Sequence, residues 1–171
     1  MNEKSAELNH ASQAAAESVL LSCCGSRRWT QKMAQARPFV DSSELLKQAA
    51  QIWQNLEAQD WLEAFAAHPK IGAKKAIPHQ TAQSAEWSQG EQSGTQTAAD
   101  SVRVELEKAN RLYENKFGFI FIICATGKRA EEMLEICRQR LNNNTETEIH
   151  IAAEEQRKIT EIRLKKLLEI E

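Results

Sequence analysis

The clearest periodic pattern in the chain is the stretch Asp41-Ser42-Ser43-Glu44-Leu45-Leu46-Lys47-Gln48-Ala49-Ala50-Gln51-Ile52-Trp53-Gln54-Asn55-Leu56. Asp41, followed three residues later by Glu44, is typical of a helix start, because the first side chain caps the helix and the second returns to the cap. Beyond this start, apolar residues recur at helical spacing on one face: Leu45, Ala49, Ile52, Trp53 and Leu56. The stretch therefore predicts an amphipathic helix with one buried face.

Helical patterns also flank this stretch on both sides. The sequence predicts further helices at six places: residues 12–24, 29–36, 60–68, 98–117, 128–141 and about 146–168. Asp60 is the predicted N-cap of the helix at 60–68. We therefore predict an all-α fold, a single-domain bundle of about six to eight helices over residues 1–171, without internal repeats.

One run departs from the helical pattern, and it is the most apolar of the chain: Phe117-Gly118-Phe119-Ile120-Phe121-Ile122-Ile123-Cys124-Ala125-Thr126-Gly127. Its aromatic and β-branched residues favour a strand, but a single strand in a helical chain has no partner. We therefore expect a buried, partly irregular segment near residues 117–127. Its backbone N–H and C=O groups need hydrogen-bond partners, and a small polar ligand could supply some of them.

A second departure is the heptapeptide Ala66-Ala67-His68-Pro69-Lys70-Ile71-Gly72. Pro69 disfavours the helical conformation at His68, and Gly72 allows a sharp turn. The imidazole is thus expected at the end of a helix, and a histidine can act as acid or base near neutral pH. From these seven residues alone, a surface histidine without a chemical role is the more frequent case.

Residues 73–97 are rich in Gln, Ser, Thr, Ala and Gly, which predicts a polar loop rather than core. Within them, Ser88 and Glu91 have the spacing of a capping box at the start of a helix. Gln92 would then place an amide beside the carboxylate of Glu91 at that helix N-terminus. The two neighbours can be interpreted as a structural cap or as part of a binding site.

Arg163 is expected on a helix face that it shares with Ile159 and Leu167, four residues to either side. An arginine on a partly apolar face needs a partner for its charge. An acidic residue of a neighbouring helix could provide it, or the side chain could extend to solvent. The functional alternative is that Arg163 binds an anion or a carbonyl group of a ligand.

The composition is that of an ordinary globular protein, with 171 residues of which 42% are hydrophobic and 27% charged. A net charge of −2 gives no electrostatic reason to expect nucleic acid or an anionic membrane as a partner, and no run is long enough to span a bilayer. Four cysteines without a CxxC motif, no secretion signal and no peroxisomal terminus predict a cytoplasmic protein. The four histidines lack paired helical spacing, so no zinc site is predicted.

Several blocks of sequence, in chain order, extend over nearly the whole chain: Cys24-Gly25-Ser26-Arg27-Arg28-Trp29 with Ala36-Arg37-Pro38-Phe39; His68-Pro69-Lys70-Ile71-Gly72; Trp87-Ser88-Gln89-Gly90-Glu91-Gln92-Ser93-Gly94; Phe117-Gly118-Phe119 through Cys124-Ala125-Thr126-Gly127-Lys128; and Glu154-Glu155-Gln156-Arg157-Lys158-Ile159-Thr160 with Arg163-Leu164. Each block is weakly specific by itself, whereas all of them in this order are highly specific. With these blocks the chain resembles the 2-oxo-4-hydroxy-4-carboxy-5-ureidoimidazoline (OHCU) decarboxylases of urate degradation.

The resemblance implies an all-helical enzyme, usually a homodimer, that uses neither a metal nor an organic cofactor. It implies conversion of the ureidoimidazoline, a small-molecule substrate, to (S)-allantoin and carbon dioxide. By motif, His68 would be the catalytic histidine and Glu91 its acidic partner. Substrate-binding residues carried over in the same way are Pro69, Ser88, Gln92, Phe119, Phe121, Ile122, Ile123, Cys124 and Arg163, with the backbone acting in the 119–125 run.

Three other classes of function stay open at this point. A histidine phosphotransfer module would present its histidine exposed in mid-helix, whereas His68 precedes a proline. A helical interaction module leaves residues 87–94 and 117–127 without a purpose. A cysteine hydrolase would use Cys124, but a thiol in so apolar a run is usually inert.

Overall fold

The structure of the protein, a computed structural model, describes residues 3–72 and 80–170. Within these residues it contains no β-strand, and none of the helices is both long and apolar enough to cross a membrane. The helices are α1 Glu3–His10, α2 Gln13–Cys23, α3 Arg27–Gln35, α4 Ser42–Gln54, α5 Ala58–Ala66, α6 Ala82–Glu91, α7 Asp100–Phe117, α8 Ala130–Arg140 and α9 Thr145–Leu167, with a 3₁₀ turn at Ser93–Thr95. The predicted all-α class is confirmed, but the described residues form nine α-helices rather than six to eight.

The two helices that the sequence did not predict are α1 and α6. Thr81 caps α6, since its hydroxyl oxygen accepts the backbone N–H of Ser84 at 3.0 Å. The buried side chains of α6 are Ser84, Ser88 and Glu91, so this helix has a polar inner face and lacks the apolar periodicity that reveals most helices. The predicted polar loop is therefore wrong for residues 82–91, while its first part, residues 73–79, lies outside the described residues.

Helix starts were predicted with mixed success. At α4, the Asp41 carboxylate accepts the Glu44 N–H at 2.8 Å, which confirms the predicted cap. The predicted capping box was wrong, because Ser88 and Glu91 lie in the last turn of α6 instead of at a helix start. Asp60 lies inside the first turn of α5 and accepts the N–H of Glu57 at 3.2 Å. At Ser88 and at Asp60 the sequence has a capping pattern, but α6 and α5 each begin upstream of that residue.

The chain divides into two compact units. The first unit consists of the residues up to Ala64 and those from Arg157 onward. Trp29 is completely buried in it, and its indole N–H donates to the carbonyl of Ala49 at 3.1 Å, which joins α3 to α4. Other fully buried apolar side chains of this unit include Leu20, Met33, Leu45 and Leu164.

The second unit is Phe65–Gln156, and aromatic rings form much of its core. Tyr113 of α7 is fully buried and lies within 6 Å of three other rings, with centroid distances of 4.6 Å to Phe117, 5.8 Å to Phe119 and 5.2 Å to Phe121. Helix α7 ends at Phe117 and is followed by Gly118, whose positive φ of +79° favours glycine. Residues 118–129 then run without helix or strand to α8, so the expected buried, irregular segment is confirmed.

Candidate active site

His68 lies just beyond the end of α5, at the break that Pro69 was predicted to cause. Its backbone N–H donates to the carbonyl of Phe65 at 3.1 Å, and the residue is half-buried. The chain then turns at Gly72, which has a φ of +78° and therefore favours glycine. Residues 67–72, here called the His68 segment, thus present the imidazole on an irregular stretch rather than in mid-helix.

Gln92, which follows the last residue of α6, connects that helix to the His68 segment. Its Oε1 accepts the backbone N–H of Gly72 at 2.9 Å, and its Nε2 donates to the carbonyl of Pro69 at 3.5 Å. The first contact is a well-formed hydrogen bond, whereas the second is long. Glu91, beside Gln92, is buried with 8% exposure. Two sequence blocks that are about twenty residues apart are therefore held together by one amide.

Helix α7 holds the same segment from another direction. The buried side chain of Asn110 donates its Nδ2 proton to the carbonyl of Ile71 at 3.0 Å. Lys70 pairs with Glu114 on the same helix at 2.5 Å, although both side chains are partly exposed, at 47% and 39%. The backbone on the C-terminal side of His68 is thus anchored by both α6 and α7, which limits how far this segment can move.

Ser88 shares the inner face of α6 with Glu91, one turn earlier. It is 3% exposed, and its hydroxyl oxygen accepts a proton from Gln80 Nε2 at 3.0 Å. The two predicted site residues on α6 therefore do lie on one face, although at the end of the helix and not at its start. A serine hydroxyl can both donate and accept hydrogen bonds.

The side chains of Phe119 and Phe121 belong to the aromatic core. The ring of Phe119 lies 5.5 Å from that of Phe65, and the ring of Phe121 lies 5.2 Å from that of Tyr113. Both rings are therefore occupied by packing, and a polar ligand could meet these two residues only through their backbone. That the backbone of this run binds substrate stays a prediction.

Charged side chains hold three backbone groups of this irregular segment. The bonds run from Arg140 Nη1 to the Ile122 carbonyl at 2.8 Å, from the Cys124 N–H to Glu155 Oε2 at 2.8 Å, and from Lys128 Nζ to the Cys124 carbonyl at 2.9 Å. The backbone of Cys124 is therefore already bonded on both sides. In contrast, the N–H groups of Ile122 and Ile123 have no hydrogen-bond partner among residues 3–72 and 80–170.

The thiol of Cys124 is not activated. Burial is the main reason that its pKa is raised, and nearby Glu155 and Glu91 raise the pKa further, against a lowering by Lys128. A raised pKa keeps the sulfur protonated, which opposes a cysteine hydrolase mechanism. The charge of Glu91 acts on the Cys124 thiol, so the end of α6 lies within electrostatic range of the irregular segment.

Gly94, in the 3₁₀ turn after α6, lies against the end of the irregular segment. A Cβ atom added at this residue would lie only 2.0 Å from the carbonyl oxygen of Lys128. Only glycine allows so close an approach of two backbones. This contact explains in physical terms why a glycine ends the Trp87–Gly94 block.

Arg163 belongs to the first unit, unlike the other predicted site residues. It lies on α9 with 2% exposure, and its Nη1 donates to the carbonyl of Ser22 at 3.5 Å. Its guanidinium also lowers the pKa of the Cys24 thiol, although burial has the larger effect and raises that pKa to about 12. The side chain is therefore buried and does not extend to solvent, and its role in binding a ligand stays a prediction.

Sequence reasoning missed Arg140, and it did not assign a role to Lys128 or Glu155. Lys128 and Glu155 lie inside the family-like blocks, so those blocks were the available signal. Arg140 lies in a predicted helix with no neighbouring motif, and its partners come from three other parts of the second unit. No local pattern could have indicated it.

Comparison with known proteins identifies a family. Residues 9–165 match the family model of OHCU decarboxylase. The chain is 44% identical over 147 residues to the uric acid degradation bifunctional protein TTL of Arabidopsis thaliana, covering 85% of this chain and 45% of the relative. It is 30% identical over 137 residues to the 2-oxo-4-hydroxy-4-carboxy-5-ureidoimidazoline decarboxylase of Amia calva, covering 78% and 75%. The chain thus spans less than half the length of the bifunctional relative.

A solved structure is similar over almost the whole chain. It is a crystal structure of OHCU decarboxylase in the presence of (S)-allantoin, with 39% sequence identity and a TM-score of 0.77. The match covers 93% of this chain and 99% of that one. The similarity therefore extends over almost all of both chains and is not restricted to one motif.

Proposed function

Because the chain belongs to the OHCU decarboxylase family, a family of carboxy-lyases of urate degradation, we propose that it converts OHCU to (S)-allantoin and carbon dioxide. The observation that carries this proposal is the Gln92 bridge, since it joins the block containing His68 to the block containing Glu91. The family match over residues 9–165 includes residues of both units.

The reaction breaks the bond between a ring carbon and its carboxylate. Carbon dioxide leaves, and the electron pair of the broken bond moves onto the ring carbonyl of the substrate. The carbon that carried the carboxylate becomes a carbonyl as its hydroxyl group loses a proton. A proton must also be added on one face to the neighbouring ring carbon, which carries the ureido group, to give a single enantiomer. The protein has to stabilise the negative charge and to deliver this proton, and both tasks depend on fixed donors.

His68 is proposed as the acid and base of this step. An imidazole can exchange a proton near neutral pH, and a positioned acid or base typically contributes about 10²–10⁴-fold to the rate. The residue is half-buried beyond α5, so part of it is accessible. Glu91, buried at the end of α6, is proposed to orient the ring and to favour its protonated form.

The remaining contacts are proposed to bind the substrate. The backbone N–H groups of Ile122 and Ile123 are donors without partners in the described residues, which suits a ring carbonyl or a developing oxyanion. Ser88 offers a hydroxyl and Pro69 a backbone carbonyl. Arg163 is proposed to bind an anionic oxygen, and a tight grip on the departing carboxylate would not help, because it would stabilise the ground state equally.

We also propose a homodimer in the cytoplasm that works without a metal or an organic cofactor. These statements come from the family resemblance. A reducing compartment suits the four buried cysteines, all of which are free thiols.

The direct test is stereospecific turnover. OHCU is generated in situ from urate with the two preceding enzymes, this protein is added, and circular dichroism follows allantoin as it forms. We expect one enantiomer to appear much faster than in a reaction without the protein. Racemic allantoin at the uncatalysed rate, from protein shown to be folded, would contradict the proposal.

A further inference from the structure

Arg140, near the end of α8, is a buried cation in an ion pair. Its side chain is 9% exposed, and its partner Glu148, in the first turn of α9, is completely buried. Arg140 Nε donates to Glu148 Oε1 at 2.7 Å, and Nη2 lies 2.6 Å from the same oxygen. Nη2 also donates to the hydroxyl of Tyr113 at 3.2 Å. Two of the three guanidinium nitrogens are thus used inside this cluster.

The other members of the cluster fix the orientation of the ion pair. Tyr113 donates its hydroxyl proton to Glu148 Oε1, and Asn143 Nδ2 donates to Oε2 at 2.7 Å. Burial raises the pKa of Tyr113, so its hydroxyl stays protonated and remains a donor. Buried charges are tolerated when their remaining hydrogen-bonding groups are satisfied in this way. The guanidinium is therefore held in one plane.

The third nitrogen of Arg140 leaves the cluster and reaches the irregular segment. Nη1 donates to the backbone carbonyl of Ile122 at 2.8 Å, and the guanidinium carbon lies 4.8 Å from the ring centroid of Phe121. Residues 118–129 have no helix or strand to fix their peptide planes. A charge-assisted hydrogen bond from a rigid donor therefore determines how the Ile122–Ile123 peptide is oriented.

The orientation of this peptide determines where the Ile123 N–H points. The peptide bond is trans, so its C=O and N–H groups point in opposite directions. Because the carbonyl points toward Arg140, the N–H of Ile123 points away from the buried cluster. We propose that Arg140 is a positioning residue, which orients the Ile122–Ile123 peptide so that the Ile123 N–H donates to the substrate. This inference rests on the proposed decarboxylase function.

The variant Arg140→Lys tests this role. Lysine keeps the positive charge beside Glu148 but replaces the planar fork by a single ammonium group, which cannot hold all three partners at once. We expect folded protein whose kcat/KM is lower by about tenfold or more, because small displacements of a substrate-binding group are costly. The control is Arg138→Lys on the same helix, where Arg138 makes an exposed pair with Glu105 at 2.7 Å. Its kcat/KM should stay at the wild-type value.

A second measurement reports on the peptide itself. In ¹⁵N-labelled protein, the amide resonance of Ile123 is followed while (S)-allantoin is added. We expect this resonance to shift in the wild type and to shift much less in Arg140→Lys. If both proteins respond equally, or if Arg140→Lys keeps the wild-type kcat/KM, Arg140 serves only stability and the inference is wrong.

The two proposals fail in different ways. A wild-type protein that forms no (S)-allantoin contradicts the proposed function, whereas an active wild type with an equally active Arg140→Lys variant contradicts only the positioning role. If Arg140→Lys does not fold, Tyr113→Phe replaces it, since this variant removes one acceptor of Arg140 and leaves the ion pair. Its kcat/KM should fall by about threefold, and an unchanged value would overturn the inference.

Discussion

Gln92 accepts the backbone N–H of Gly72 through its side-chain oxygen at 2.9 Å, so the end of α6 holds the turn that follows His68. The amide of Gln92 extends from the residue after Glu91 to the backbone around His68. A side chain first assigned to substrate binding therefore has a structural task as well. This bond joins two sequence blocks that lie about twenty residues apart.

Replacing Gln92 separates these tasks. Gln92→Ala removes both contacts and should lower kcat/KM by about tenfold or more, since the His68 segment loses an anchor. Gln92→Glu keeps an acceptor for Gly72 but loses the donor, so its kcat/KM should lie between those of Gln92→Ala and the wild type. The measurement is steady-state turnover at equal folded concentration.

Gln89→Ala is the matched control, because Gln89 is exposed in the last turn of α6, three residues before Gln92. Its turnover should equal that of the wild type. Equal activity of Gln92→Ala and Gln89→Ala would show that the bridge seen at Gly72 has no part in catalysis.

Two glycines of one sequence block should respond oppositely to alanine. Gly94→Ala places a Cβ 2.0 Å from the Lys128 carbonyl oxygen, so the backbones must separate and we expect a lower melting temperature. Gly90 lies in α6 with nothing within 4 Å of the added Cβ, so Gly90→Ala should raise the free energy of unfolding by up to about 1 kcal/mol. Denaturant unfolding of both variants measures the difference. A Gly94→Ala variant as stable as Gly90→Ala would contradict the close approach.

The helices that the sequence predicted are those with an apolar face. The amphipathic pattern of Leu45, Ala49 and Trp53 identified α4, and Asp41 located its first turn correctly. Helix α6 escaped this reasoning because its buried residues are Ser88, Glu91 and a second serine, Ser84. A polar inner face is stabilised by hydrogen bonds to other segments, such as the bond from Gln80 to Ser88, and periodicity of hydrophobic residues cannot reveal these bonds.

The candidate site shows the same limit. Pro69 predicted the chain break at His68 because its effect on the preceding residue is local. The role of Arg140 depends on contacts with Tyr113, Ile122 and Glu148, which are 8 to 27 residues away in sequence. Side-chain bonds over such separations are a property of the folded chain.

Stability at alkaline pH should report on the buried thiol of Cys24. Burial raises the pKa of this thiol to about 12 from the ordinary 9.0. Below pH 9 the thiol is protonated in both states, and above it the unfolded chain ionises first. The free energy of unfolding should therefore fall as pH rises from 9 toward 12.

Cys24→Ala removes this contribution and supplies the comparison. The variant should lose less stability than the wild type between pH 9 and pH 10.5, as measured by urea unfolding at each pH. Parallel profiles for the two proteins would mean that the Cys24 thiol ionises as readily in the folded chain as in the unfolded one.

The central claim is that His68 delivers the proton in a stereospecific decarboxylation. The most direct measurement is circular dichroism of allantoin formed by wild type, His68→Asn and, as a control, His10→Asn, a substitution of an exposed histidine on α1. We expect His68→Asn to keep the melting temperature of the wild type and to lose about 10²–10⁴-fold in kcat, while His10→Asn is fully active. A His68→Asn protein that forms (S)-allantoin at the wild-type rate would contradict the account.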